Sequence, residues 1–270
     1  MKDKERTVRY ETILVADDNG VRTVTLNRPE RRNALNVKMQ QELIAVFNDS
    51  SAVGIRAMVL TGAGDSFCSG LDLSELQMSA CKPQEESAGD AQRILHMFRA
   101  LYELPIPTIA GVNGAAMAGG AGLAVICDFV VATSGAKFGF TEARVGFVPA
   151  LVSAFLALQV SGRHAKDLLL TARTVGGEEA ARMGLVNTVA PSDRLGQEID
   201  SLVQSLIANS PESLAATKRL LAAQNQHWLD EAIQLALEAN MNARQTTDFT
   251  EGVAAFLEKR KPRWLANSGD

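Results

Sequence analysis

The chain has 270 residues, 46% of them apolar and 21% charged, with a formal net charge of −4. That balance suits one large globular domain, or one domain with a helical appendage. It offers no basic excess for broad phosphate contact, so a nucleic-acid partner is not expected, and no run approaches the roughly 18 uninterrupted apolar residues of a membrane span.

Three cysteines, Cys68, Cys81 and Cys127, are an odd number without metal spacing. They read as reduced thiols, which points to a cytoplasmic protein. His96, His164 and His227 share no ligand spacing either, so no metal is expected. The charged start, Met1 to Arg6, has no apolar run behind it and does not read as a signal peptide.

The first elements are two strands, Thr12 to Val15 and Val21 to Leu26, joined across the hairpin signal Asp18-Asn19-Gly20. A polar, basic loop from Asn27 to Asn33 leads to a helix from about Asn36 to Asp49, with Met39, Leu43, Val46 and Phe47 on one face. Ile55 to Leu60 is the next strand. The loop Thr61 to Asp65 and the segment Phe67 to Leu73 follow it. Residues 77–90 show no clear period and predict a mobile surface loop, and a helix from about Asp90 to Glu103 is stopped by Pro105 and Pro107.

The stretch from Pro107 to Pro149 organises the chain. An apolar strand, Ile109 to Val112, ends at Asn113-Gly114, and Ala115 to Cys127 then reads as a helix of small and aliphatic residues. Glycine in a helix costs roughly 1 kcal/mol relative to alanine. Gly119, Gly120 and Gly122 together therefore suggest a helix start pressed close to another backbone or a ligand. The unpaired N–H groups there suit a carboxylate, a phosphate or a developing oxyanion. Glu142 stands further on in a weakly charged run, FGFTEARVGFVP, as a candidate acid/base.

Strands are predicted at Phe129 to Ala132, around Lys137 to Phe140, and at Leu185 to Val189; helices are predicted at 150–161, 164–171 and 177–183. From Asp193 to Arg260 the pattern is almost all helix, broken at Ser210-Pro211 and near Thr246 to Phe249. Residue pattern alone thus gives an α/β protein with a helical end, whose Leu and Ala stripes could cap the domain or meet another subunit.

Four segments in this order, LNRPERRNALN, TGAGDSFCSGLDL, PTIAGVNGAAMAGGAGLAVICD and FGFTEARVGFVP, resemble the crotonase superfamily of enoyl-CoA hydratases and isomerases. The resemblance extends to EGVAAFLEKR at Glu251 to Arg260. It implies a spiral of ββα turns over residues 1–195, holding an acyl-CoA site. Residues 196–270 would be a helical region for capping and trimerisation, in a homotrimer or homohexamer. It also implies that a thioester enolate is stabilised by two backbone N–H groups, which fall on Leu71 and Gly119. The second glutamate of the two-glutamate hydratases falls on Glu142. The position of the first is Gly122, so this chain resembles the single-glutamate Δ3,Δ2-enoyl-CoA isomerases there. The bulky Pro149-Ala150-Leu151-Val152-Ser153-Ala154-Phe155 replaces a Gly-rich family segment that shapes the acyl pocket.

Coenzyme A contacts implied by the resemblance fall on Arg32, Asn33, Ala34, Ser69, Asp72, Leu73, Gly120, Phe256 and Lys259, with Arg28 and Arg31 as further partners for its phosphates. No cofactor is implied beyond the coenzyme A of the substrate. Glu142 could instead be a structural ion-pair partner of Arg144, and Asp72 reads as a helix N-cap. Cys68 has no cationic neighbour to activate it. The competing functions are decarboxylation or dehydration of a branched acyl-CoA on the same oxyanion donors, or non-catalytic acyl-CoA binding.

Overall fold

The computed structural model describes residues 8–49, 54–80 and 84–266. Its strands are β1 (Val8–Arg9), β2 (Ile13–Asp18), β3 (Val21–Leu26), β4 (Ala57–Gly62), β5 (Ser66–Cys68), β6 (Thr108–Val112), β7 (Ala115–Met117), β8 (Phe129–Thr133), β9 (Lys137–Gly139), β10 (Thr174–Gly176) and β11 (Thr188–Ala190). The helices are α1 (Val37–Asp49), α2 (Leu73–Ala80), α3 (Gln84–Tyr102), α4 (Gly119–Ile126), α5 (Ala150–Gln159), α6 (Gly162–Thr171), α7 (Gly177–Met183), α8 (Leu195–Ile207), α9 (Pro211–Arg244), α10 (Thr247–Leu257) and α11 (Arg263–Ala266).

The strands form two sheets, a larger one in the order β1-β2-β3-β4-β6-β8-β11 and a smaller one in the order β10-β9-β7-β5. The β2–β3 hairpin is antiparallel, with Asp18 opposite Val21. Asn19 and Gly20 both take positive φ, 48° and 78°, as a tight hairpin turn requires. From β3 onward the larger sheet is parallel. β3 alternates buried and half-buried residues, whereas β6 is buried throughout, as a central parallel strand covered on both faces must be.

Three times the chain lays one strand in the larger sheet, the next in the smaller one, and then turns to helix: β4–β5–α2, β6–β7–α4, and β8–β9 followed by the turn that carries Glu142. This is the expected ββα spiral. Its main core lies between the sheets and helices, and Leu229, Ile233, Ala236 and Leu237 of α9 join it. A second cluster seats α8, through Ile199, Val203 and Leu206, on Val59, Ile109 and Val131.

Both predicted breaks in the C-terminal helices are N-caps. Ser210 accepts from the Ser213 N–H ahead of Pro211, and Thr246 accepts from the Phe249 N–H. Two expectations are corrected. Residues 77–80 end α2 and residues 84–90 begin α3, so the loop predicted over 77–90 is helical wherever it is described. Polar, Ser-, Glu- and Gln-containing helix ends carry little hydrophobic period to read. The helix predicted from Ala115 begins only at Gly119, because Ala115–Met117 is a strand paired with β5 and β9. Small residues suit either state, and here the sheet decides. Cys81 lies outside the described residues. No helix among them is long and apolar enough to cross a membrane.

Candidate active site

The site grows from one close approach of two backbones. Gly70 follows β5 with φ +90°, and a Cβ there would sit 2.9 Å from the Ala118 Cβ and 3.3 Å from the Gly119 nitrogen. Only glycine lets the chain pass so near the start of α4. One residue later, Leu71 makes an isolated parallel bridge to Leu35. Ala118, ahead of α4, takes φ 49° and ψ −125°, a strained conformation for a residue with a side chain. Gly120 is locked against β5, since a Cβ there would lie 2.3 Å from the Cys68 carbonyl oxygen. The start of α4, with its free N–H groups and positive dipole end, is thereby fixed beside Leu71.

Glu142 opens a 3₁₀ turn, Glu142–Val145, and is 9% exposed. Its Oε2 is buried without a hydrogen-bond partner. No ion pair joins it to Arg144, which is exposed. Burial pushes the carboxyl up to about 7, although its own backbone N–H pulls the other way. The turn is held by α10: a Cβ at Gly146 would lie 2.2 Å from the Asp248 carbonyl oxygen, and one at Gly252 would lie 2.4 Å from the Val145 backbone. A buried carboxyl near neutrality, with one oxygen unpartnered, can take up and return a proton at ordinary pH.

One cleft of about 260 Å³ brings Leu71, Gly119 and Glu142 together with Ser69, Leu73 and Phe256. Gly122 lies one turn further along α4. A Cβ there would meet Val152 Cγ2 at 2.7 Å and Phe98 Cζ at 3.2 Å, so the position without a carboxylate is already filled by apolar side chains.

The other expected contacts lie elsewhere. Asn33 is fully buried; its Nδ2 donates to the carbonyl oxygens of Ala63 and Ser66, and its Oδ1 accepts from the Arg28 N–H. It clasps the turn in which Arg32 and Asn33 itself both have positive φ. Ala34 is buried, and Arg31, Arg32 and Lys259 are exposed, all outside the cleft lining. Arg28 pairs with Asp72 at 3.1 Å and donates to the Ala34 carbonyl. Asp72 also accepts from the Ser74 N–H, as a cap does, and lines an adjoining cleft. Burial drives the Cys68 and Cys127 thiols up to about 12, which leaves neither as a nucleophile at neutral pH. No metal-binding group of His, Cys, Asp and Glu occurs among the described residues.

Four lining residues went unread in the sequence: Leu76 from α2, Ile94 and Phe98 from α3, and Asn240 from α9. The first three look like any apolar helix stripe. Asn240 did carry a signal, as a polar residue in helical register with Ile233, Ala236, Leu237 and Ala243.

The family model described as enoyl-CoA hydratase/isomerase matches residues 16–267. A Thermus thermophilus protein named "Putative enoyl-CoA hydratase" is 44% identical over 245 residues, covering 90% of this chain and 97% of that one. The 1,2-epoxyphenylacetyl-CoA isomerase of Escherichia coli is 32% identical over 94% of this chain and 98% of its own. Among solved structures, an enoyl-CoA hydratase/isomerase from Xanthobacter autotrophicus superposes with a TM-score of 0.87 at 30% identity, covering 93% of this chain and 94% of that one.

Proposed function

The chain belongs to the enoyl-CoA hydratase/isomerase family of acyl-CoA enzymes, and on that premise we propose that it moves a double bond along an enoyl-CoA with Glu142 as the only acid/base. The thioester oxygen sits between the Leu71 and Gly119 N–H groups. Glu142 takes a proton from C2 of a 3-enoyl-CoA. The C–H electron pair moves into the conjugated enolate, whose oxygen the two N–H groups stabilise. The same carboxyl then returns the proton at C4, giving the 2-enoyl-CoA. The coenzyme A belongs to the substrate, and no further cofactor takes part.

The observation that carries this reading is the buried Glu142 carboxyl, its Oε2 without a hydrogen-bond partner, in the cleft that Leu71 and Gly119 also line. The apolar filling around Gly122 supports a single carboxylate. A proton shuttle needs only one, whereas hydration must also activate a water. Hydration of a 2-enoyl-CoA is the second reading, favoured by the names of the hydratase relatives.

A paired assay separates the two. One arm offers a 3-enoyl-CoA and follows conjugation; the other offers a 2-enoyl-CoA and follows its loss. Turnover of the 3-enoyl substrate alone, lowered by about 10² to 10⁴ in Glu142→Gln, is the expected result. Full activity of the variant on both substrates would refute the role of Glu142.

Assembly is part of the same proposal. α9 exposes Leu220, Leu221, Trp228 and Leu235, and we assign this outer face to a homotrimer or homohexamer contact. Sedimentation analysis of the purified chain tests it, and a monomer would refute it.

A further inference from the structure

One polar side chain in the cleft has no role in the chemistry above. Asn240 is 3% exposed and belongs to the wall supplied by α9, among apolar neighbours from α3 and α5. Its Oδ1 accepts from the Arg244 Nε at 3.0 Å. A guanidinium only donates, so this bond fixes which way the amide faces. The oxygen turns to Arg244, and the two Nδ2 hydrogens turn the other way. No described residue accepts from Nδ2. Asn240 Nδ2 is not sealed in, so a ligand oxygen in the cleft that Asn240 lines can accept from it in place of water.

The surroundings say what kind of acceptor. Arg244 is itself buried, and its guanidinium carbon lies 5.7 Å from the centre of the Phe147 ring, which also lines the cleft. A cation bonded to the amide oxygen polarises the amide and strengthens Nδ2 as a donor. Elsewhere the same wall, with Ile94, Phe98, Leu151 and Val152, offers only hydrocarbon.

Resting on the reading of this cleft as the acyl site, we propose that the preferred substrates carry a second oxygen acceptor, a carboxylate or a carbonyl, in the acyl chain beyond the reacting carbons. Asn240 Nδ2 donates to that oxygen, and Arg244 holds Asn240 in place. Asn240 is a specificity-determining residue and Arg244 a positioning one.

The test uses 3-enoyl-CoAs of matched length ending in a methyl group, a methyl ketone or a carboxylate, across several chain lengths. For the wild-type protein, kcat/KM should favour an oxygen-ended substrate over its methyl partner by about tenfold or more at one chain length. Preference for the carboxylate alone identifies an anionic substrate; preference shared by the ketone identifies a neutral acceptor. Asn240→Asp keeps the side-chain shape and the acceptor for Arg244 while removing the donor. It should bring the ratio to about one or below, with the carboxylate arm falling furthest through like-charge repulsion. A wild-type ratio near one at every length overturns the proposal whatever the variant does. So does an unchanged ratio in a folded Asn240→Asp protein. Glu142→Gln, run on the methyl-ended substrate, reports separately on the cleft: full turnover there defeats the catalytic reading, and the Asn240 ratio does not enter that result.

Discussion

Gly119 and Gly122 lie one turn apart on α4 and owe their identity to opposite surroundings. Around Gly119 there is room: an added Cβ would meet only Leu35 Cδ1, at 3.8 Å. Around Gly122 there is none, because Val152 and Phe98 already occupy the space. The first glycine lines an open cleft. The second is a socket filled by the protein itself. One helix therefore carries both an open, polar, strained end and a sealed, apolar, relaxed flank, and the boundary between them is a single turn. The sealed flank also accounts for the lone carboxylate. Restoring a glutamate at position 122 means first removing what fills the socket.

The largest effect should follow from that step. Gly122→Glu forces a Cβ to within 2.7 Å of a stiff, β-branched valine and sets a carboxylate among apolar groups. A loss of about 2–4 kcal/mol in urea unfolding is expected, after allowing for the better helix propensity of glutamate. Val152→Ala removes the Cγ2 methyl that collides and leaves Phe98 Cζ at 3.2 Å, so the double variant should regain a part of that loss, a coupling measurable by a double-mutant cycle. It should also gain hydration of a 2-enoyl-CoA relative to wild type. An unchanged melting profile for the single variant would show that the socket does not exist.

The sequence carried the two ends of α4 unequally. The open end was legible because its elements are glycines and a charged residue, types whose presence in an apolar run already demands a reason. Gly119, Leu71 and Glu142 do line one cleft. The ββα spiral was legible from four motifs in order, although the order of strands in the two sheets was not, since pairing joins residues far apart in the chain. The sealed end was legible only as an absence at Gly122 and a bulk at Leu151 and Val152. Nothing in the residue pattern says that the bulk fills the absence, because α4 and α5 meet only in the folded chain. Asn240 was missed for the same reason, as its partner wall comes from α3, more than a hundred residues earlier. The helical ends over 77–80 and 84–90 were lost because their sequence is polar and shows no helical period.

A smaller effect follows from burying the Glu142 carboxyl beside the open end with its Oε2 unpartnered. The folded chain holds the Glu142 proton up to about pH 7, against 4.5 for the ordinary group. Below 4.5 the carboxyl is protonated whether folded or unfolded, so its burial brings no charge penalty there. As pH rises from 4.5 through 7, the unfolded chain loses its proton first, and the fold loses stability across that window. Glu142→Gln does not ionise. It should match wild type near pH 4 and be more stable by roughly 1–3 kcal/mol at pH 8, while losing activity. In wild type, kcat/KM should climb between pH 6 and 8 as the base forms. A variant less stable than wild type at pH 8 would mean that the carboxylate is held by a partner, and the open end would then not be strained.

The smallest change in stability is expected at Gly119 itself, and it sharpens the contrast most. Gly119→Ala places one methyl group where only Leu35 lies near, at 3.8 Å, and Gly119 does not take a positive φ. The fold should change by less than about 1 kcal/mol, with helix propensity favouring alanine. Gly120→Ala, its neighbour, is the control: its methyl would lie 2.3 Å from the Cys68 carbonyl oxygen and should disrupt the approach of β5 to α4. The Gly119 methyl instead enters the cleft beside the N–H assigned to the thioester oxygen. kcat/KM should fall by about tenfold or more while unfolding hardly moves. Loss of stability in both variants would make the start of α4 as closed as its flank. Retention of both stability and activity in Gly119→Ala would place the thioester oxygen somewhere else. Only a stable, slow enzyme fits an open end built to receive a ligand.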